Sequence, residues 1–157
     1  MHDNDIPMMR IALEEAETAL SEGEIPVGAV IARGGEVIAR ARNTRERKKN
    51  ALGHAECEAI DAACRVLGTW RLSGCTMYVT LEPCPMCAGA IINARLDRVV
   101  FGAYDEKAGS MGSLIDLSKV DYNHHPRLRG GVLGEESAAL LGRFFALLRE
   151  RGDDCGQ

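Results

Sequence analysis

The residues from His54 to Phe101, HAECEAIDAACRVLGTWRLSGCTMYVTLEPCPMCAGAIINARLDRVVF, decide the fold of this 157-residue chain. Their apolar spacing predicts a helix over Ala55–Leu67, a buried strand over Met77–Leu81, a second helix over Cys84–Ala94 and a further strand over Arg98–Phe101. Two helix-then-strand units in succession favour parallel strands joined by right-handed crossovers. We therefore expect a sheet with helices on its faces.

The sequence on either side of this stretch adds an antiparallel start and two more helices. A helix is predicted over Pro7–Glu22, and strands are predicted over Val27–Ala32 and Glu36–Arg42. Arg33-Gly34-Gly35 between the two strands is typical of a hairpin turn. A last helix is predicted over Glu135–Arg151. Because the hairpin is antiparallel and the later strands are parallel, the predicted sheet is mixed.

Two segments carry no regular pattern. Residues 43–53 are predicted as a polar loop, and residues 102–131 as a long irregular segment that contains at most a short helix. A loop that long in a compact domain is usually functional. Residues from about 152 to 157 are expected to form a disordered tail.

Composition and length indicate one ordinary globular domain spanning 1–157, since 46% of residues are hydrophobic and 27% are charged. No apolar run approaches the roughly 18 residues that cross a membrane. The first ten residues, MHDNDIPMMR, lack the basic end and apolar stretch of a signal peptide. We expect a cytoplasmic protein without a membrane partner, whose six cysteines stay reduced.

The charge of the chain is unevenly distributed. A net charge of −4 argues against bulk attraction to nucleic acid. Residues 40–49 nevertheless hold six basic side chains against Glu46 alone, a local excess of five positive charges. This run indicates either a local site for a polyanion or a solvated loop.

Two short motifs carry the chemistry, His54-Ala55-Glu56 and Pro83-Cys84-Pro85-Met86-Cys87. They offer one imidazole and two thiols from the starts of two helices, where the helix dipole favours a thiolate. Three protein ligands leave the fourth position of a tetrahedral zinc ion to water, which is typical of catalytic zinc. We expect one zinc ion per chain, bound by His54, Cys84 and Cys87.

Glu56 is the predicted catalytic residue. At the first turn of a helix its carboxylate can reach a water that His54 helps to place, accept a proton from it and pass a proton to a departing nitrogen. The alternatives are that the cysteine pair is redox-active or half of a structural zinc site. Glu58 is either a partner of His54 or a solvated helix residue, and Cys57 is interpreted as helix packing.

With these motifs in place, the chain resembles the bacterial tRNA-specific adenosine deaminases of the cytidine deaminase superfamily. The resemblance spans about Ile6 to Arg151 and rests on IPVGAV (25–30), HAE (54–56), VTLEPCPMCAGA (79–90), VVFGA (99–103), GSL (112–114) and Asn123-His124. It implies an α/β fold, a cytidine-deaminase-like three-layer α/β/α sandwich around a five-stranded mixed sheet. It further implies a homodimer, one Zn²⁺ per subunit, and hydrolytic deamination of the wobble adenosine in a tRNA anticodon stem-loop.

The resemblance also implies roles for individual side chains. Glu56 matches the proton shuttle, and His54, Cys84 and Cys87 match the zinc ligands. The implied substrate contacts are Asn43 on the flipped base, Pro26 and Val27 beneath it, Asp105 and Lys107 facing the loop backbone, and Phe144, Phe145 and Arg149 near the RNA. Pro26 and Val27 equally fit an ordinary strand start, and at least one of the two phenylalanines fits core packing.

One stretch departs from the family pattern, because Asn50-Ala51-Leu52-Gly53 stands where Asp-Pro-Thr-Ala is frequent. The departure changes the pocket rim and leaves the zinc motif intact. Two rival functions also remain: a deaminase of a free base or nucleoside such as guanine, cytosine or cytidine, and a non-catalytic zinc module that binds RNA. The second rival has no use for a proton shuttle at Glu56.

Overall fold

A computed structural model describes residues 4–152 of the chain. Its helices are α1 (Asp5–Ser21), α2 (Arg45–Lys48), α3 (Ala55–Leu67), α4 (Pro85–Asn93) and α5 (Gly134–Arg151), and its strands are β1 (Gly28–Arg33), β2 (Glu36–Arg42), β3 (Cys75–Leu81), β4 (Arg98–Ala103) and β5 (Arg127–Arg129). A short 3-10 turn covers Leu117–Lys119. Of the predicted tail, Gly152 ends α5 in a left-handed conformation, and residues 153–157 lie outside the described residues.

The strands form one mixed sheet in the order β2-β1-β3-β4-β5. β1 pairs antiparallel with β2 and β3, whereas β3 and β4, and β4 and β5, are parallel. Gly34 and Gly35 both adopt positive φ, +59° and +80°, as a tight hairpin turn between twisted strands requires. The structure confirms the predicted five-stranded mixed sheet and the parallel pairing of its central strands.

Two elements lie where the sequence predicted irregular chain. β5, at Arg127–Arg129, lies within the segment 102–131 and is too short to show the alternation that marks a strand. α2 lies within the predicted loop 43–53 because the buried Glu24 carboxylate accepts the backbone N–H groups of Glu46 and Arg47. The capping residue precedes α2 by more than 20 residues, so the sequence of α2 itself does not indicate the cap.

The sheet separates two helix layers. Ala29 and Ile31 of β1 point to the face covered by α3 and α4, while Val30 and Ala32 point to the face covered by α1. Gly28 lets α1 approach closely, since a Cβ there would lie 2.0 Å from the Ala12 carbonyl oxygen. The three-layer α/β/α arrangement is therefore confirmed. No helix within residues 4–152 combines the length and the apolar character needed to cross a membrane.

A buried ion pair fixes α1 to the parallel edge of the sheet. The Asp5 carboxylate accepts two hydrogen bonds from Arg98, both 2.7 Å, and one from Arg129, 2.6 Å. Burial alone would raise the pKa of Asp5, but the hydrogen bonds from Arg98 and then Arg129 outweigh it and lower that pKa. The carboxylate therefore stays charged and paired at neutral pH.

The basic run 40–49 is largely paired with acidic side chains. The Arg40 guanidinium lies 2.7 Å from Glu15 of α1, and Arg42 lies 2.7 Å from Glu22. Lys48 pairs with Glu58 at 2.9 Å, so Glu58 ties α2 to α3 and does not hold His54. The part of this run that stays available to a polyanion is therefore smaller than its formal charge suggests.

Candidate active site

Two helix N-termini meet where β3 ends. His54 is the N-cap residue of α3, and Cys84 is the N-cap residue of α4, only three positions after β3 ends at Leu81. Pro85 occupies the first turn of α4, where its missing N–H costs nothing, and Cys87 follows in the same turn. The sequence thus places the imidazole and both thiols at one edge of the sheet.

The three donor atoms are spaced as one zinc ion requires. His54 Nδ1 lies 3.6 Å from Cys84 Sγ and 3.5 Å from Cys87 Sγ, and all three donors lie within 4.8 Å of one another. Tetrahedral zinc with bonds of about 2.0–2.1 Å to nitrogen and about 2.3 Å to sulfur requires a nitrogen-to-sulfur separation of about 3.6 Å. His54, Cys84 and Cys87 therefore fit a metal ion.

The two thiols differ in protonation. The hydrogen bond from Cys87 outweighs burial and, with help from His54, lowers the pKa of Cys84 to about 4. Hydrogen bonds with Cys57 and Cys84, together with burial, raise the pKa of Cys87. Without metal, Cys84 is the thiolate and Cys87 keeps its proton, so metal binding must displace that proton.

A cavity of about 580 Å³ opens beside this donor set. That volume lies within the range of pockets that hold small ligands. Its wall includes His54, Glu56 and Cys84, together with Ile25, Val27, Asn43, Arg45, Leu81, Glu82, Tyr104, Asp105, Glu106, Lys107, Ala108, Leu141 and Phe145. Polar groups from several elements therefore converge on one apolar-walled space.

Glu56 is a buried acid of this cavity, with only 4% of its surface exposed. Burial raises the pKa of its carboxyl to about 7. A group with such a pKa can both accept and donate a proton near neutral pH. The site thus places a proton-transfer group beside a set of metal-binding donors.

Comparison with known proteins identifies the family. The MafB19-like deaminase family model matches residues 3–149. The tRNA-specific adenosine deaminase of Bacillus subtilis is 50% identical over 144 residues, which cover 91% of this chain and 89% of that protein. The chain belongs to the tRNA-specific adenosine deaminase family. The predicted family is therefore confirmed.

Solved structures agree with this family. A structure from a study of A-to-I editing by tRNA:A34 deaminases matches with a TM-score of 0.83 and 42% identity over 86% of this chain and 99% of that one. The guanine deaminase of Bacillus subtilis matches less well, with a TM-score of 0.64 and 28% identity over 100% of this chain and 98% of that one. The fold is common to both, and the sequence is nearer to the tRNA-specific adenosine deaminases.

Most of the substrate contacts predicted from the family lie on the cavity wall. Val27, Asn43, Asp105, Lys107 and Phe145 all line it. Pro26 and Phe144, which are buried, do not line it, and neither does Arg149, which is exposed near the end of α5. Val27 precedes β1, which begins at Gly28 and not at the predicted Val27.

Asn43 enters the cavity with its amide orientation fixed. Its Oδ1 accepts a hydrogen bond of 2.9 Å from the backbone N–H of Arg45, at the start of α2. The Nδ2 group is then the donor that Asn43 can offer a base in the cavity. α2, which the sequence did not predict, therefore orients a predicted base contact.

Glu82 is a site residue that the sequence analysis missed. Its buried carboxylate accepts the backbone N–H groups of Asp105, Met111 and Ser113, at 3.0–3.1 Å, and the Ser113 hydroxyl. Gly109 must lack a side chain here, since a Cβ would lie 2.4 Å from this carboxylate. The position of Glu82 directly before Pro83-Cys84 could have marked it as a site residue. Its role was not predictable, because the backbone groups that it binds lie more than 20 residues away.

Replacing Glu82 by Ala is expected to loosen the segment 105–113, because it removes a charged acceptor shared by three N–H groups. We expect amide hydrogen exchange at Asp105, Met111 and Ser113 to accelerate at least about tenfold. Asp116→Ala is the matched control, since the Asp116 carboxylate bonds to Ser118 outside this segment. Unchanged exchange at the three amides in Glu82→Ala would show that other contacts hold the segment.

Proposed function

We propose that this protein hydrolytically deaminates adenosine to inosine at the wobble position of a tRNA anticodon. The observation that carries the proposal is that buried Glu56 shares the wall of one cavity with His54 and Cys84, two of the three clustered metal donors. Its Bacillus subtilis relative bears the name tRNA-specific adenosine deaminase. A flipped base suits such a recessed site, and an unpaired anticodon loop costs little to unstack.

In the proposed reaction, water replaces the C6 amino group of adenosine, which leaves as ammonia. His54, Cys84 and Cys87 would hold zinc, which when bound supplies a Lewis acid that makes water a nucleophile at neutral pH. Glu56 accepts a proton from the water and returns a proton to the departing nitrogen. The carboxylate ends the cycle in the state in which it began.

The cavity wall supplies the proposed contacts to RNA. Asn43 donates to the flipped base from Nδ2, and Val27 packs beneath it. Asp105, Lys107 and Phe145 contact the surrounding loop.

The predicted contacts away from the wall have different roles in this proposal. Pro26 supports Val27, and the buried Phe144 supports Phe145, its neighbour at a ring distance of 5.5 Å. Arg149, exposed on α5, remains a predicted contact to the RNA.

The proposal extends to assembly and location. We expect a homodimer with one zinc ion per subunit, acting in the cytoplasm, where tRNA is processed. Sedimentation of the purified protein measures the number of chains per particle, and elemental analysis measures the number of zinc ions per chain. A monomer, or a zinc content that differs from the number of chains, would contradict this part of the proposal.

The decisive assay compares tRNA with small substrates. The zinc-loaded protein is incubated with bacterial tRNA and, separately, with adenosine, guanine, cytosine and cytidine. We expect inosine at the wobble position and no ammonia from the free compounds. Ammonia from a free base, with tRNA unchanged, would favour the rival free-base deaminase, whose fold this chain also matches.

Cations on the cavity wall are expected to set the salt dependence of tRNA binding. Arg45 and Lys107 both line the cavity. Replacing both by Gln removes two phosphate contacts, so the slope of log K against log salt concentration should become shallower by about 1.4, at about 0.7 for each contact to a single strand. Binding measured over a range of salt concentrations provides this slope.

The control is a double variant with the same change in net charge. Arg40→Gln combined with Arg42→Gln also removes two positive charges. Both arginines are already paired, however: Arg40 with Glu15 of α1, and Arg42 with Glu22, the C-cap residue of α1. This control should leave the slope close to that of the wild type. If both double variants shift the slope equally, the effect comes from overall charge and not from contacts at the cavity.

A further inference from the structure

Tyr104 is an exposed aromatic residue at the mouth of the cavity. It lines the cavity wall, yet 59% of its surface is exposed. It directly precedes Asp105, whose backbone N–H is held by Glu82. Neither the proton-transfer chemistry nor the contacts proposed above for the flipped base use this side chain.

The Tyr104 ring is held in place on its inner side. It packs edge-on against Phe101, with ring centroids 5.1 Å apart and an angle of 87° between the planes. Gly130 permits this packing, since a Cβ there would lie 2.6 Å from both the Tyr104 hydroxyl and the Phe101 ring. A fixed aromatic ring loses little conformational entropy when a ligand stacks on it.

Other exposed aromatic residues in the described part of the chain are less suited to this site. The Trp70 ring is covered by the Arg71 guanidinium, 4.9 Å from its centroid, and by that of Arg95, at 5.9 Å. Tyr122 is 48% exposed and does not line the cavity. Tyr104 alone of these three combines exposure with a position at the cavity mouth.

We propose that Tyr104 stacks on a nucleobase next to the target adenosine and so helps the enzyme to select a splayed RNA loop over a free nucleoside. The inference rests on the proposed function. Bases unstacked from single-stranded loops are commonly bound by stacking on aromatic side chains. With the target base inside the cavity, the adjoining nucleotides must cross its mouth, where Tyr104 presents its ring. The cations Arg45 and Lys107 line the same cavity.

The direct test uses a fluorescent base. Anticodon stem-loop RNAs carry 2-aminopurine immediately 5′ or immediately 3′ of the target adenosine, and binding is measured at saturating protein in a Glu56→Gln background, which holds the substrate unreacted. We expect the emission from one of the two positions to be quenched on binding. Tyr104→Ala should lose this quenching, and Tyr104→Phe should retain it because the ring remains.

Steady-state kinetics provide a second readout in the otherwise wild-type enzyme. Because the stacked base does not react, Tyr104→Ala should raise KM for the stem-loop on the order of tenfold with kcat nearly unchanged. Tyr104→Phe should restore KM. Tyr122→Ala, the matched control at an exposed tyrosine away from the cavity, should leave both constants unchanged.

The outcomes separate this inference from the proposed function. Quenching that survives in Tyr104→Ala, or a KM that stays at the wild-type value, would overturn the stacking role. A fall in kcat in both Tyr104→Ala and Tyr104→Phe would also overturn it, because it would show a role of the hydroxyl in the reaction. If the wild-type enzyme forms no inosine in the stem-loop, the proposed function itself fails, whatever the Tyr104 variants do.

Discussion

Replacing Glu56 by Gln is expected to lower kcat for inosine formation by about 10²- to 10⁴-fold, the usual contribution of a general acid–base group. Gln has nearly the same shape but can neither accept the proton from water nor return one to the leaving nitrogen. Because Glu56 lies outside the metal donor set, zinc content should stay at the wild-type value. Single-turnover rates on a tRNA stem-loop and elemental analysis of the same sample measure both effects.

Glu58→Gln is the matched control for this prediction. Glu58 lies two residues further along α3, but it bonds to Thr44 and Lys48 and does not line the cavity. It should therefore retain nearly full kcat. Wild-type turnover in Glu56→Gln would overturn the assignment of Glu56 as the proton shuttle. A zinc-loaded wild type that binds the stem-loop without forming inosine, and whose binding Glu56→Gln leaves unchanged, would favour the rival hypothesis of a non-catalytic zinc module.

The parts of the fold that the sequence predicted are those with local patterns. The central strands β3 and β4 and the helices α3 and α4 each carry enough apolar residues at a regular spacing to be recognised. β5 has three residues and no usable period, and α2 depends on Glu24 for its cap. Elements that are stabilised by distant partners leave no signal in their own sequence.

The candidate site divides in the same way. His54, Glu56, Cys84 and Cys87 could be selected from the sequence because two short motifs at helix starts suffice to bring them together. The role of Glu82 depends on partners 23 or more residues away, Asp105 and Met111. Tyr104 packs on the nearby Phe101, but this packing also needs the space that the distant Gly130 leaves open. The pairing of Arg40 with α1 likewise joins residues 25 apart, so the run 40–49 does not by itself reveal how many of its charges are paired.

Replacing Cys87 by Ala is expected to reduce the zinc content from about one ion per chain to below about a tenth and to abolish deamination, because two donors bind zinc far more weakly than three. The melting temperature of the variant should no longer depend on added zinc. In the wild type, zinc affinity should rise with pH between about pH 6 and 8, by up to about tenfold per pH unit for each proton displaced. Binding displaces the Cys87 proton and also the proton of His54, whose pKa is raised, mainly by its hydrogen bond with Cys84. Cys84 adds nothing to this slope, because its pKa of about 4 leaves it already ionised.

Cys57→Ala tests whether the loss of zinc is specific to the removal of a proposed ligand. Cys57 Sγ lies 3.8 Å from Cys87 Sγ, yet Cys57 is not part of the donor group formed by His54, Cys84 and Cys87. A cysteine that merely packs beside the site can be removed without loss of metal, so this variant should keep about one zinc ion per chain. Zinc retained in Cys87→Ala but lost in Cys57→Ala would reverse the assignment of the two thiols and make Cys57 the third ligand.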